Sequence, residues 1–286
     1  MLTSERFRST PIAEAASTVI IAPPGAVAEI SAALRGDVGG RPLVALGGGR
    51  VIDSAKAIGA ADELQVAALP TTLSGAEVTP FHRLPEGVEG KRLIRPSLVI
   101  ADPALMASAP MPFLAATALN ALAHAVEALY SPYASPVSSM AALRGAELIA
   151  SSLPDEGEPD RVGLALGALL AGYASGLTGF AVHHVVCQTI VRVGGTPHAE
   201  TNATMLPHSI RLMRDRAPEE IALVEQAIGD PDRLAARAGV SDLRALGFDE
   251  ARVGDVVEAA LPRPQLQNMP HPPGEADLRA YVEAAL

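Results

Sequence analysis

Five polar side chains are spaced for chemistry: Asn120, His124, His184, Gln188 and His198. Asn120 and His124 stand four apart in an apolar run, so a helix would put them on one face. His184 and Gln188 repeat that spacing. His198 follows the loop Gly194-Gly195-Thr196-Pro197. Three imidazoles brought together suit a divalent cation, whose usual companion ligand is a carboxylate. The companion here is Asn120, a neutral and weak ligand. The set therefore reads as a metal frame with one ligand missing, against the plainer alternative of three satisfied core histidines. His183 points about 100° away from His184 around a helix. Cys187, in an apolar stretch, reads as core.

A second group could hold phosphate. Gly47-Gly48-Gly49 follows an apolar run and opens a helical one, with Arg50, Asp53 and Lys56 next. Glycines let backbone approach a phosphate, and a helix N-terminus offers free N–H groups and partial positive charge. The G-x-G-x-x-G fingerprint is absent, as is an acidic residue at the distance that holds a ribose. Thr71, Thr72 and Ser74 follow the next apolar run and offer hydroxyls to ribose or phosphate oxygens. The alternatives are a tight turn at the glycines, helix capping by the hydroxyls, and pairing of Asp53 with Lys56.

The elements that must position these groups follow from periodicity. Residues 19–22, 43–46, 66–69 and 98–101 read as short buried strands, with helical spacing over 27–34 and 51–61. That alternation predicts parallel strands with crossover helices. Beyond Pro112 the pattern is helical over 114–130, 136–151, 161–191, 201–213, 218–227, 232–238, 254–260 and 275–284, with Pro and Gly clusters between several of them. The expected organisation is an α/β nucleotide-binding domain over 1–108 followed by an all-α domain over 109–286.

Composition narrows the class. Hydrophobic residues make up 49% and aromatics 3% of the 286, so the core is built from Ala, Leu, Val and Ile. A net charge of −10 argues against nucleic acid and anionic membranes as partners. Residues 162–182 carry no charge and could span a bilayer. Their five glycines instead predict a buried core helix, or two helices broken near a glycine. One cysteine excludes an internal disulfide and suits a reducing cytoplasm. No secretory signal is visible at the N-terminus.

Several stretches together resemble the iron-containing alcohol dehydrogenase superfamily, and within it the maleylacetate reductases. They are residues 47–56, Thr71-Thr72-Leu73-Ser74-Gly75-Ala76-Glu77, Asp102-Pro103-Ala104-Leu105, the run from Asn120 to Tyr130, His183-His184, Pro197-His198-Ala199-Glu200-Thr201 and Leu206-Pro207-His208. The resemblance runs from about Leu43 to the C-terminus and implies a dehydroquinate synthase-like, iron-type alcohol dehydrogenase architecture. In metal-using relatives an Asp and three His hold the ion. Those positions fall on Asn120, His124, His184 and His198. Maleylacetate reductases tend to carry Asn at the first and to work without metal, so the resemblance implies no metal here. There are departures. Relatives have a further strand-helix-strand before the region matching Val19. Arg50 replaces a Ser. Gln188 replaces a His near the nicotinamide, and Val185 replaces a Lys.

The resemblance implies a metal-independent reductase; the lone cysteine suits the cytoplasm, and a shortened sheet edge would favour pairing as a homodimer. The reductase would pass a hydride from NAD(P)H, held at Gly47, Gly48, Gly49, Arg50, Asp53, Thr71, Thr72 and Ser74, to an activated C=C or C=O of a small anionic substrate. His124, His184 and His198 would bind and polarise that substrate, with Asn120 donating a hydrogen bond. Gln188 cannot act as a general acid near neutral pH. That leaves open a repurposed lyase, isomerase or cyclase that has lost its cofactor, or a non-catalytic binding subunit.

Overall fold

A computed structural model describes residues 1–90 and 92–286. The chain divides into two compact units, Met1–Ala109 and Pro110–Leu286.

The first unit runs β1 (Leu2–Thr3), α1 (Pro11–Glu14), β2 (Ile20–Ile21), α2 (Val27–Val38), β3 (Leu43–Gly47), α3 (Gly49–Asp62), β4 (Val66–Pro70), β5 (Leu98–Val99) and α4 (Pro103–Met106). All strand pairs are parallel, in the order β2-β1-β3-β4-β5. The sequence predicts no strand before residue 19, and the structure corrects this. Leu2 pairs with both Ile20 and Ala45, and the Thr3 hydroxyl donates to the Leu46 carbonyl at 2.7 Å. Two residues are too short to show a period, so only their complete burial marks them. The strand order reverses between β1 and β3, and open α/β sheets bind ligands at the carboxyl ends of strands beside such a reversal. The glycine turn leaves the sheet there. Ile52, Ala55 and Ile58 of α3 pack into one apolar cluster with Leu2, Ala45, Val66 and Ala68.

The second unit is helical: α5 (Phe113–Tyr130), α6 (Pro136–Ser152), α7 (Arg161–Thr178), α8 (Val182–Gly194), α9 (His198–Met213), α10 (Pro218–Ile228), α11 (Pro231–Ala236), α12 (Val253–Ala260) and α13 (Glu275–Glu283). From Leu114 to Tyr130 every residue of α5 is buried. It is long and apolar enough to cross a membrane, but its surroundings are other helices, so it is the axis of a bundle. The helix expected over 161–191 is two helices, bent by 98° at a short break. Gly179 ends α7 with φ of +83°, a conformation that side chains resist. Helices α6 and α7 cross at glycines. A Cβ on Gly145 would lie 2.9 Å from the Gly167 carbonyl oxygen, and one on Gly167 would lie 2.8 Å from Ile149.

Candidate active site

The break before α8 leaves its first N–H groups without a capping side chain of their own. Glu127 of α5 fills that place. Its carboxylate accepts main-chain hydrogen bonds from Ala181 and His184, the latter at 3.2 Å. A negative group at a helix N-terminus is favoured by the dipole. The same carboxylate accepts from His184 Nδ1 at 2.6 Å. The proton is thereby fixed on Nδ1, and the lone pair of Nε2 is left buried with no partner among the described residues. Burial holds His184 down to about 3, with His198 adding to the effect, so the ring is neutral at pH 7. Burial raises the Glu127 carboxyl; nearby imidazoles and the main-chain donors oppose the rise.

His124 lies face to face with His184, with ring centroids 4.1 Å apart and planes within 7°. Phe180, in the break itself, stacks on both. The Ser175 hydroxyl of α7 is 3.3 Å from His124 Nδ1, and Asn120 Nδ2 is 3.5 Å from its Nε2. Asn120 Oδ1 is a second buried acceptor without a partner among the described residues. His198 opens α9 and is exposed. Its carbonyl accepts from Asn202 Nδ2 at 2.7 Å. His183 belongs elsewhere. It is enclosed by Asn202, Ser209 and Cys187, and burial holds it down to about 3.

In the first unit, the glycines are demanded by contact rather than by dihedral angle. A Cβ on Gly48 would lie 2.9 Å from Thr72 Cγ2, and one on Gly49 would lie 3.0 Å from Ser74 Oγ. The two loops are seated on each other, with the Thr71 N–H donating to the Gly47 carbonyl. What remains for a ligand is the uncapped start of α3 at Gly48, the buried Thr72 hydroxyl without a partner among the described residues, and exposed Arg50. Asp53, expected at the cofactor, instead sits 2.7 Å from the Lys56 ammonium. Lys56 is fully buried and also donates to the carbonyls of Ala76 and Thr79, pinning the loop that carries Thr71 to Ser74.

The Fe-containing alcohol dehydrogenase family, C-terminal, matches residues 114–284, more than half of the chain. The chain belongs to the iron-containing alcohol dehydrogenase family. Maleylacetate reductase 1 of Rhodococcus opacus is 37% identical over 239 residues, covering 76% of this chain and 66% of that protein. Maleylacetate reductase of Sphingobium indicum is 32% identical over 264 residues, covering 87% and 75%. The chain thus spans from just under two thirds to three quarters of these relatives' length. The crystal structure of maleylacetate reductase from Agrobacterium tumefaciens is similar with a TM-score of 0.87 at 30% identity, covering all of this chain and 88% of that one. The fold is that of iron-type alcohol dehydrogenases and maleylacetate reductases, an oxidoreductase family.

In this family member the four expected ligand positions do not fit a divalent ion. Two imidazoles on one ion must aim at a common point about 2 Å from each nitrogen. The rings of His124 and His184 instead lie stacked face to face, 4.1 Å between centroids. Among the described residues no three His, Cys, Asp or Glu side chains converge as a ligand set, and the fourth position is the amide of Asn120. The structure brings Asn120, His124 and His184 together. His198 is near enough to perturb His184 but is tied to Asn202, and Gln188 accepts from Arg263. Glu127, Phe180 and Ser175 were not anticipated. Glu127 had a signal, because 120, 124 and 127 share one face of an apolar helix.

Proposed function

We propose that this protein is a metal-independent, maleylacetate reductase-like enzyme, active on maleylacetate or a similarly small anionic substrate with an activated C=C or C=O. The observation that carries the reading is the pair of buried acceptors, His184 Nε2 and Asn120 Oδ1, beside a stacked imidazole wall. NAD(P)H, when bound, supplies the hydride. The start of α3, the Thr72 hydroxyl and the Arg50 cation suit its phosphates and ribose. Hydride addition would leave an alkoxide or enolate that takes its proton from water, relayed through His184 Nε2, and the resulting O–H would donate to His184 Nε2 and Asn120 Oδ1. In the reverse direction His184 Nε2 would take that proton, with Glu127 stabilising the imidazolium. His124 and Phe180 exclude water from one side of the ring. Asn120, neutral where metal-using relatives have Asp, supports the absence of a metal step.

Gln188 favours a second reading. It accepts a hydrogen bond from Arg263 and offers no titrating proton, which suits a lyase, isomerase or cyclase that has given up hydride chemistry. The protein is proposed to act in the cytoplasm, where its lone buried thiol stays reduced, and as a homodimer. Exposed Leu98 and Ile100 on the β5 edge support pairing.

The test is loss of nicotinamide absorbance with maleylacetate, using NADH and NADPH in turn, before and after treatment with a strong chelator. Turnover that survives chelation is expected. Loss of turnover on chelation, restored by Fe or Zn, refutes the metal-free part. Absence of turnover and of saturable binding of either nucleotide would falsify the reductase and leave the second reading.

A further inference from the structure

A helix packed on a core turns a polar face to solvent. Helix α7 does not. From residue 162 to 177 the only side chains of α7 that reach solvent are Val162, Leu166, Leu169, Leu170, Tyr173 and Leu177, and its one charge, Arg161, stands at the first position. Helix α6 adds exposed Val137 and Met140. Both helices pack on α5 and on each other. The glycine contacts run Ser152 against Gly163 and Gly145 against Gly167, so α6 and α7 are antiparallel. That direction sets Val137 and Met140 alongside Leu177 and Tyr173, in one apolar surface. Its flanking charges are already paired, Arg144 with Glu147 and Arg161 with Glu158.

The area of this surface matches what association needs. Its six well-exposed side chains, those of Val137, Met140, Val162, Leu166, Tyr173 and Leu177, are between 44% and 66% exposed. At about 90 Å² apiece they offer roughly 550 Å², near the upper end for a patch on a monomer. Laid on an equal patch they bury about 1,100 Å², which clears the roughly 1,000 Å² of a specific interface. The spacing points to the occupant. The stripe on α7 reads the same in both directions from a point between Leu169 and Leu170. Leu166 and Tyr173 are equally far from that point, and so are Val162 and Leu177. A second α7 laid antiparallel about a two-fold axis there sets Leu166 against the partner's Tyr173 and Val162 against the partner's Leu177. Self-match of this kind is what a two-fold interface requires. A membrane surface fits less well, because helices that lie on lipid are rich in Lys and Arg, and the chain carries a net charge of −10.

We propose that the α6–α7 face docks a second copy of this chain, with α7 pairing antiparallel to its own copy about an axis between Leu169 and Leu170. This interface is separate from the β5 edge and does not rest on the reductase reading. Pairing there braces the helix whose Ser175 lies against His124.

Sedimentation gives the mass of wild type, Leu166→Glu, Tyr173→Glu and, as a control on the sheet edge, Ile100→Glu. Wild type should self-associate at about micromolar concentration. Each α7 variant would press a carboxylate into an apolar contact and should weaken association about a hundredfold or more. Ile100→Glu should leave an associated species that Leu166→Glu then abolishes. Cross-linking tests the register. Under oxidation a mixture of Leu166→Cys and Tyr173→Cys proteins should link one variant to the other. Neither should link to itself, since equivalent positions would lie about 10 Å apart along the helices, beyond disulfide reach of about 7 Å. Cys187 is buried and does not compete. Circular dichroism checks each fold, and should the Glu variants fail to fold, the cross-links decide. A wild type that stays monomeric at about 100 µM, association unchanged in both Glu variants, or Leu166→Cys linking only to itself overturns the proposal. So does a monomer that binds phosphatidylcholine vesicles and loses them on Leu166→Glu, which assigns the face to a membrane.

Discussion

Glu77 sits at the end of the loop that Lys56 pins, fully buried, and among the described residues its oxygens meet no hydrogen-bond donor outside the residue itself. Burial raises its carboxyl from 4.5 to about 7; its own backbone amide and the Lys56 ammonium oppose this, and Asp53 adds to it. An acid with a raised folded value holds its proton better folded than unfolded. Its stabilising contribution is therefore complete below about pH 4.5 and is lost as pH rises through about 7. At 1.36 kcal/mol per pH unit, the displacement amounts to about 3 kcal/mol. Glu77→Gln keeps the shape and cannot ionise. Urea unfolding of both proteins from pH 5 to 8.5 is the assay. The contributions of most other titrating groups, His82 among them, largely cancel in the difference between the two. Wild type should match the variant within about 1 kcal/mol near pH 5 and fall behind by about 3 kcal/mol by pH 8.5. A difference that stays flat across the range refutes the buried, unpartnered carboxyl, and with it the account of how the loop is held.

Three further outcomes are expected. Glu127→Gln removes the anionic acceptor of His184 Nδ1–H, a charge-assisted bond worth about 1.5–3 kcal/mol; kcat should drop at least about tenfold with KM little moved, and an unchanged kcat would reduce Glu127 to a helix cap. Gly48→Ala puts a methyl 2.9 Å from Thr72 Cγ2; overpacking of this kind costs about 1–3 kcal/mol and should weaken NADH binding measured by fluorescence, whereas wild-type affinity would refute the seated-loop geometry. Asn120→Asp restores a carboxylate beside the imidazoles and should raise zinc affinity at least about tenfold by calorimetry; wild type purified without added metal should carry far less than one Fe or Zn per chain by elemental analysis, and a stoichiometric ion would overturn the metal-free proposal.

The elements with a full period were legible in the sequence. The runs at 43–46 and 66–69 became β3 and β4, and stretches of helical spacing became the helices that carry the histidines. The pairs 120/124 and 184/188 were legible for the same reason: a helix makes four-residue spacing a shared face. What escaped was whatever depends on partners distant in the chain. The two residues of β1 carry no period of their own. Arg263 reaches α8 from beyond α12. Asp53 was expected at the cofactor and is consumed by Lys56, because a fully buried ammonium requires a counter-charge within reach. The helix expected over 161–191 carried its own break in Gly179, but five glycines in one stretch gave no means of choosing the right one.

The crossing of α6 and α7 ties two positions with no chemistry of their own to the imidazoles. Gly145 and Gly167 touch main chain to main chain, and about two turns further along α7 lies Ser175, which holds His124. A single methyl at either glycine would wedge the pair apart and tilt a hydroxyl that orients a ring. In a mutational scan, alanine at these sites would register as damage to turnover, although neither bears a polar atom. Gly167→Ala should also show epistasis, eased where Ile149 shrinks at the same time, whereas a methyl at Gly145 meets the main chain of α7 and gains nothing from that change.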